Sequence, residues 1–183
     1  MSEPKNYFAP GRVNLIGEHL DYNGGLVLPT AINLGVKLSY GKRNDEKIVF
    51  RSATHPFTTS INVSDELEYS AYQDWANYPI GIIHHLKKEG ISLNGCELTY
   101  ESNLPEGAGL SSSAAVEVVT AFALLGQSQS QINKVWLANF CKEVENIRRS
   151  GSSPRKARAA HPERRAGGPR HRAGRDIATP DRR

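Results

Sequence analysis

The feature that most limits the fold of this 183-residue chain is an abrupt change of composition near residue 147. Residues 1–147 contain all the aromatic residues and carry 11 Lys and Arg against 16 Asp and Glu, a net charge of −5. Residues 148–183 carry 12 Lys and Arg against 3 Asp and Glu, a net charge of +9, and have no Leu, Val, Phe, Tyr, Trp or Met. Such a segment cannot bury enough apolar surface to offset the entropy of ordering. We therefore expect one folded domain over residues 1–146 and a disordered basic tail over residues 147–183.

Within the first 146 residues, the apolar pattern predicts strands followed by helices. Residues 7–16 look like a loop that leads into a strand. Stretches with a strand pattern are 26–40, as two short strands or one bent strand, 48–53, its possible hairpin partner 56–64, and 96–102. Stretches with helical spacing are 74–89, 112–125 and 130–146, the last with Ser130 as a candidate N-cap. Strands and helices in separate layers predict an α+β fold.

The cysteine pattern and the N-terminus argue against an exported or membrane-bound protein. Cys96 and Cys141 form no CxxC pair, so we expect two reduced, buried thiols. The N-terminus has no apolar signal region, and no apolar run approaches the ~18 residues of a membrane helix. We therefore expect a cytoplasmic location and no membrane partner.

The segment PEGAGLSSSAA, residues 105–115, leads directly into the predicted helix 112–125. Gly107 and Gly109 allow positive φ and a close approach of a ligand to the backbone. The first N–H groups of a helix have no internal partners, and the helix dipole is positive there, so this pattern can hold a phosphate. A capped helix that follows a glycine turn explains the same residues, and no Walker lysine is present.

A second polar segment, APGRVNLIGEHLDYNGG, spans residues 9–25. Its charged and imidazole side chains suit sugar hydroxyls, which need both donors and acceptors. The H-x-D spacing could instead be directed at a metal, although no second His or Cys group supports this. A solvated polar loop that turns at NGG remains the third interpretation.

The two segments together resemble a known group of kinases. The first closely resembles the N-terminal signature of galactokinases, and PEGAGLSSSAAVEVV resembles the phosphate-binding motif of the GHMP kinase superfamily. The resemblance covers about residues 6–146 and implies the GHMP kinase N-terminal domain (ribosomal protein S5 domain 2-like). That domain is a mixed sheet with helices packed on one face, here truncated. The first segment favours galactokinases, or related N-acetylgalactosamine kinases and galactose sensors, over mevalonate kinases.

The resemblance also implies roles for individual residues. Arg12 would have the catalytic role of stabilising negative charge on the transferring phosphoryl group. The galactose contacts would come from Glu18, His19, Leu20 and Asp21, with Leu20 in place of the usual threonine. The ATP contacts would come from Gly107, Ala108, Gly109, Leu110, Ser111, Ser112, Ser113, Trp75 and Tyr78, and the Mg²⁺ ligands would be Ser113 and Glu145. By spacing alone, Trp75 and Tyr78 are equally consistent with the core, and Glu145 with a solvated helix end.

The resemblance stops before the segment that carries the family's catalytic base. In the family, a helix end like VEN leads into a segment resembling FVGVNCGIMDQ, whose aspartate accepts the proton of the anomeric hydroxyl. Here Asn146 is followed by IRRSGSSPRKAR, and Asp176 and Asp181 have no matching context. The family's C-terminal half has no counterpart either. We hypothesise a frameshift or misjoined gene near codon 146. If the other reading frames downstream encode no GIMDQ-like continuation, this hypothesis fails.

Three functions follow from these observations. The chain derives from a galactokinase that converts ATP and galactose to ADP and galactose 1-phosphate, with negligible turnover expected without the base. Alternatively, it is a non-catalytic sensor that binds galactose and ATP. In the third case, the tail binds nucleic acid through its charge, although it lacks aromatic residues for base stacking. The first two functions imply a monomer with galactose and ATP as its partners.

Overall fold

The chain forms five strands and three helices over the described residues. The computed structural model describes residues 3–17, 19–20, 23–54, 58–66, 75–105, 107–127 and 131–149, with side chains described up to Ile147. The elements in chain order are β1 (Lys5–Ile16), β2 (Leu28–Lys42), β3 (Lys47–Ser52), β4 (Thr58–Asn62), α1 (Asn77–Lys88), β5 (Cys96–Ser102), α2 (Ser112–Leu125) and α3 (Lys134–Arg149).

The strands form one mixed sheet in the order β1-β2-β5-β3-β4. Three pairs are antiparallel, β1 with β2, β2 with β5, and β3 with β4, whereas β3 and β5 run parallel. A parallel pair needs a long crossover connection, and here that connection includes β4 and α1.

The core lies between the three helices and one face of the sheet. Along β2, Val36 and Leu38 are buried, while Lys37 between them is exposed, as the period of a strand requires. The buried face packs with apolar residues of α1, α2 and α3 in one continuous cluster. The mixed sheet with helices on one face therefore confirms the predicted α+β architecture.

The first two strands differ from the sequence pattern in their bounds and in their continuity. β1 begins at Lys5, so residues 7–16 belong to the strand and do not form the predicted loop. The strand tolerates Pro10 because β1 lies at the edge of the sheet and its register shifts at that residue. β2 is one continuous strand through Gly35. A Cβ at Gly35 would lie 2.3 Å from the carbonyl oxygen of Ala9, so glycine permits the close approach of the two strands.

The N-cap of α3 differs from the prediction. The side-chain Oδ1 of Asn133 accepts hydrogen bonds from the backbone N–H groups of Val135 (3.0 Å) and Trp136 (3.1 Å). Asn133 is therefore the N-cap, and the prediction of Ser130 was wrong; Ser130 itself lies outside the described residues. α3 also continues past residue 146 to Arg149.

The two thiols agree with the expectation from the sequence. Cys96 and Cys141 are free and buried, and burial raises the pKa of each thiol to about 12. Over the part of the chain that the structure describes, no helix has the length and hydropathy needed to cross a bilayer. Of the predicted tail, residues 147–149 belong to α3, and residues 150–183 lie outside the described ranges.

Candidate functional site

The glycine- and serine-rich segment forms the turn that enters α2. Gly107, Gly109 and Ser111 all have positive φ, at 69°, 69° and 60°. A Cβ on either glycine would meet nothing within 4 Å, so the backbone conformation, and not a lack of space, favours glycine there. Ser111 is the N-cap of α2, but its side chain makes no capping hydrogen bond. The turn therefore leaves the start of α2 in a geometry suited to an anion.

Ser113 and Glu145, the two predicted metal ligands, are brought together by the packing of α2 on α3. Ser113 Oγ donates a hydrogen bond of 2.9 Å to Glu145 Oε1. Both groups offer oxygen atoms, which Mg²⁺ prefers, and Mg²⁺ is usually held by one or two carboxylates together with phosphates and water. Among the described residues, no group of three or more His, Cys, Asp or Glu is placed to hold a metal ion. The pair therefore fits a cation that arrives with a nucleotide.

The two sequence segments touch through their backbones. The N–H of Arg12 in β1 donates a 3.1 Å hydrogen bond to the carbonyl oxygen of Leu110. Gly11 makes this approach possible, because a Cβ there would lie 2.6 Å from Leu104 Cδ2 and 3.0 Å from that same carbonyl oxygen. The exposed side chain of Arg12 thus starts from a backbone fixed to the glycine-rich turn.

The connection between β1 and β2 contains the predicted sugar-binding residues. Gly17 and His19 have positive φ, and the N–H of Leu20 donates a hydrogen bond of 3.0 Å to the carbonyl oxygen of Gly17. The Nδ2 of Asn23 donates a hydrogen bond of 2.8 Å to the carbonyl oxygen of His19. His19 and Leu20 are exposed on this turn. The other two predicted contacts, Glu18 and Asp21, lie outside the described residues.

Trp75 and Tyr78 lie at the start of α1. The Trp75 ring packs edge-to-face on Tyr100, with ring centroids 5.2 Å apart, and it adjoins the hydrophobic core. Its Nε1 is buried and has no hydrogen-bond partner among the described residues, which is uncommon for a buried donor. Tyr78 is half-buried in the first turn of the helix. Core packing thus accounts for the Trp75 ring, and the adenine contact stays a prediction for both residues.

Two polar residues near these segments were not predicted from the sequence as candidate site residues. Asn14, two residues after Arg12, has a buried Oδ1 with no hydrogen-bond partner in the described part of the chain. Glu117, one turn after Ser113 in α2, is fully buried. The available signal for Glu117 was a lone acidic residue inside the apolar run AAVEVV.

The sequence of this chain matches two protein-family models and the sequences of known galactokinases. The family model described as the galactokinase galactose-binding signature matches residues 2–52, and that of the GHMP kinase N-terminal domain matches residues 77–154. The chain is 44% identical to a galactokinase of Halalkalibacterium halodurans and 43% identical to one of Staphylococcus carnosus. These matches cover 80% and 76% of this chain. The matched stretch is homologous to the N-terminal portion of galactokinases.

Solved structures agree with this homology. A crystal structure of Lactococcus lactis galactokinase complexed with galactose superposes with a TM-score of 0.68 at 32% identity, over 79% of this chain. A mevalonate kinase of Methanococcus jannaschii superposes with a TM-score of 0.73 at 20% identity, which supports the shared fold alone. The chain spans only 37% and 36% of the two galactokinase sequences and 38% of the solved galactokinase. The GHMP match ends at residue 154, a little beyond the predicted limit of 146.

Proposed function

We propose that this chain carries the ATP-phosphate and galactose-binding part of a galactokinase, which transfers the γ-phosphoryl group of ATP to the C1 hydroxyl of galactose. The observation that supports it best is the 2.9 Å hydrogen bond between Ser113 and Glu145 beside the positive-φ turn of residues 107–111. A cation ligand pair beside a phosphate-binding helix start is the arrangement that phosphoryl transfer needs.

Each residue has a role limited to what its position allows. The backbone of residues 107–113 would bind the ATP phosphates, while Ser113 and Glu145 would hold Mg²⁺, which neutralises phosphate charge when bound. Arg12, anchored through its N–H at Leu110, would stabilise charge on the transferring group. His19 and Leu20, with Glu18 and Asp21, would contact galactose, and Trp75 and Tyr78 would lie near the adenine.

Calorimetry tests the binding half of this proposal. We expect the 183-residue chain to bind Mg-ATP and galactose, and Ser113→Ala to weaken Mg-ATP binding while leaving galactose binding unchanged. The matched control is Ser60→Ala, a serine in β4 on the far side of the sheet order from β1. A wild-type chain that binds neither ligand would contradict the proposal.

Turnover is the second test. The 183 residues of this chain include no GIMDQ-like segment to supply the base for the C1 hydroxyl. We therefore expect no phosphorylation of galactose above background in a coupled ADP-release assay. A rate close to that of a full-length relative would show that another residue of this chain accepts the proton.

A galactose and ATP sensor is the second candidate, because the same missing segment would leave binding without turnover. It requires both ligands to bind with useful affinity at once. Calorimetry with galactose added to the chain already saturated with Mg-ATP tests this case, since a sensor must bind both ligands at once and failure to bind the second ligand excludes it. Galactose and N-acetylgalactosamine compared in one titration series would identify the preferred sugar.

We extend the proposal to a monomeric, cytoplasmic chain whose partners are small molecules. The basic tail is the one feature that favours nucleic-acid binding as a further function. Deleting residues 148–183 and measuring DNA binding across salt concentrations tests this alternative, because charge-driven binding weakens steeply with salt. Sedimentation velocity tests the monomer, and fractionation of cells tests the location.

A further inference from the structure

Glu117 is the one charged side chain in the buried class among the residues that the structure describes. It is 0% exposed, in the middle of α2. Burial of a carboxylate is costly compared with an apolar residue of similar size, so a buried acid points to a role other than packing.

The positions of Glu117 and Ser113 place them on one face of α2. The two residues are four apart, which puts their side chains one above the other on the helix. Cys141 and Glu145 have the same spacing in α3. Glu117 and Cys141 are both buried, and each lies one helical level away from the 2.9 Å Ser113–Glu145 contact, Glu117 along α2 and Cys141 along α3.

The electrostatics of Cys141 agree with this layering. Burial raises the pKa of the Cys141 thiol most, and the carboxylates of Glu117 and Glu145 raise it further. Both carboxylates therefore lie within electrostatic reach of one thiol. The interface holds two acidic groups, one at the serine and one a turn further along α2.

A cation at Ser113 meets an unfavourable field from α2 itself. The N-terminus of a helix carries a partial positive charge, and the first turn of α2 contains no acidic residue to offset it. Glu145 supplies one negative charge. A second carboxylate that is ionised in the poorly screened interior would add to the attraction for a divalent ion.

We propose that Glu117 is a positioning residue of the cation site: from one turn behind Ser113 and Glu145, its negative charge raises the affinity for Mg²⁺ without ligating the metal. This inference rests on the proposed function, because it assigns Glu117 to the same nucleotide site. The two acids would then have different roles: Glu145 would bind the metal directly, and Glu117 would support binding through its charge.

The test compares nucleotide binding by the full chain with and without the cation. Glu117→Gln keeps the size of the side chain and removes its charge. We expect the Mg²⁺-dependent gain in ATP affinity to fall at least five-fold in Glu117→Gln, with metal-free ATP affinity unchanged or higher. Binding of Mn²⁺, followed by the loss of its free electron paramagnetic resonance signal in the presence of ADP, should weaken by a similar factor.

The matched control is Glu143→Gln, which removes one exposed carboxylate from α3, two residues before Glu145. We expect a change of less than two-fold in this variant. An equal loss in both variants would indicate a general effect of net charge and overturn the proposal, as would an unchanged Mg²⁺ dependence in Glu117→Gln.

A second pair of variants keeps the test decisive if Glu117→Gln does not fold. Glu117→Asp and Glu117→Asn leave the same packing defect and differ in charge. We expect the aspartate variant to retain the Mg²⁺ dependence and the asparagine variant to lose it; equal behaviour would overturn the proposal. If wild-type chain binds ATP and Mg²⁺ normally but the variants match it, only this inference fails. If wild-type chain shows no Mg²⁺-dependent binding, the proposed function fails as well.

Discussion

At the scale of single residues, the Ser113–Glu145 hydrogen bond joins two helices at the proposed cation site. We predict that Ser113→Ala lowers the free energy of unfolding by about 0.5–1.5 kcal/mol, the usual net value of such a bond. It should also reduce the rise in melting temperature caused by Mg-ATP, because a cation ligand is lost. Thermal melts with and without Mg-ATP measure both effects. Ser112→Ala, an exposed neighbour, should leave the stability unchanged; if it matches Ser113→Ala, the hydrogen bond is not the cause.

Gly11 controls the contact between β1 and the glycine-rich turn. In Gly11→Ala, the new Cβ would press on Leu104 Cδ2 at 2.6 Å and on the Leu110 carbonyl oxygen at 3.0 Å. We predict a loss of about 1–3 kcal/mol, as for other overpacked sites, and weaker Mg-ATP binding because the turn must shift. Denaturant unfolding and calorimetry measure the two effects. Gly41→Ala is the control, since its nearest neighbour would be 4.0 Å away; a similar loss there would exclude the steric explanation.

His85 predicts a pH dependence of stability. Burial, with the nearby charges of His84 and Lys88, lowers the pKa of His85 from 6.5 to about 4. Between pH 6.5 and 4 the unfolded chain therefore binds more protons at this site than the folded chain, so the stability is fully present above pH 6.5 and is lost as the pH falls toward 4. We predict that His85→Gln flattens this part of the profile. Urea unfolding of both proteins at several pH values measures the difference, and parallel profiles would contradict the assignment.

At the scale of elements, the cap of α3 fixes where that helix begins. Asn133 accepts hydrogen bonds from two backbone N–H groups that have no partner inside the helix. We predict that Asn133→Ala costs about 1 kcal/mol and that Asn133→Ser restores most of it, because serine is also a good N-cap. Chemical denaturation followed by circular dichroism measures the change. Equal stability of the alanine and serine variants would mean that the cap contributes nothing.

The elements also show what the sequence pattern can and cannot predict. The bounds of β5 and α2 were predicted correctly, because a short alternating strand and an apolar helix that ends at Gly126 each have one clear period. Pro29 and Gly35 suggested a break in β2 that does not occur, because Pro29 lies at the start of the strand and Gly35 relieves a contact with β1. The Arg12–Leu110 contact joins residues nearly a hundred positions apart, so no local pattern reports it.

At the scale of the whole molecule, the end of the β1–β2 ladder exposes an apolar surface. The residues of this surface, which we call the ladder-end patch, are Leu15, Ile16, Leu20, Leu26, Val27 and Leu28. On the helices, Phe122 of α2 and Val135 of α3 are exposed as well. The larger exposure lies beside the proposed sugar-binding turn.

The ladder-end patch predicts concentration-dependent aggregation of this chain rather than assembly into a defined oligomer, since large exposed apolar patches are rare on soluble monomers. Ile16 and Leu28 pair across the two strands, and Leu26 is 92% exposed. We predict that the triple change Ile16→Thr, Leu26→Ser and Leu28→Thr reduces association without lowering the melting temperature, because threonine suits a strand and the replaced side chains bury little surface. Sedimentation velocity and thermal melts measure the two properties. Val119→Thr, at a buried position of α2, should instead lower the melting temperature and leave the patch intact. If the triple variant associates as strongly as the wild-type chain, a different surface mediates association. The exposed side chains of α2 and α3 would then be the next candidates.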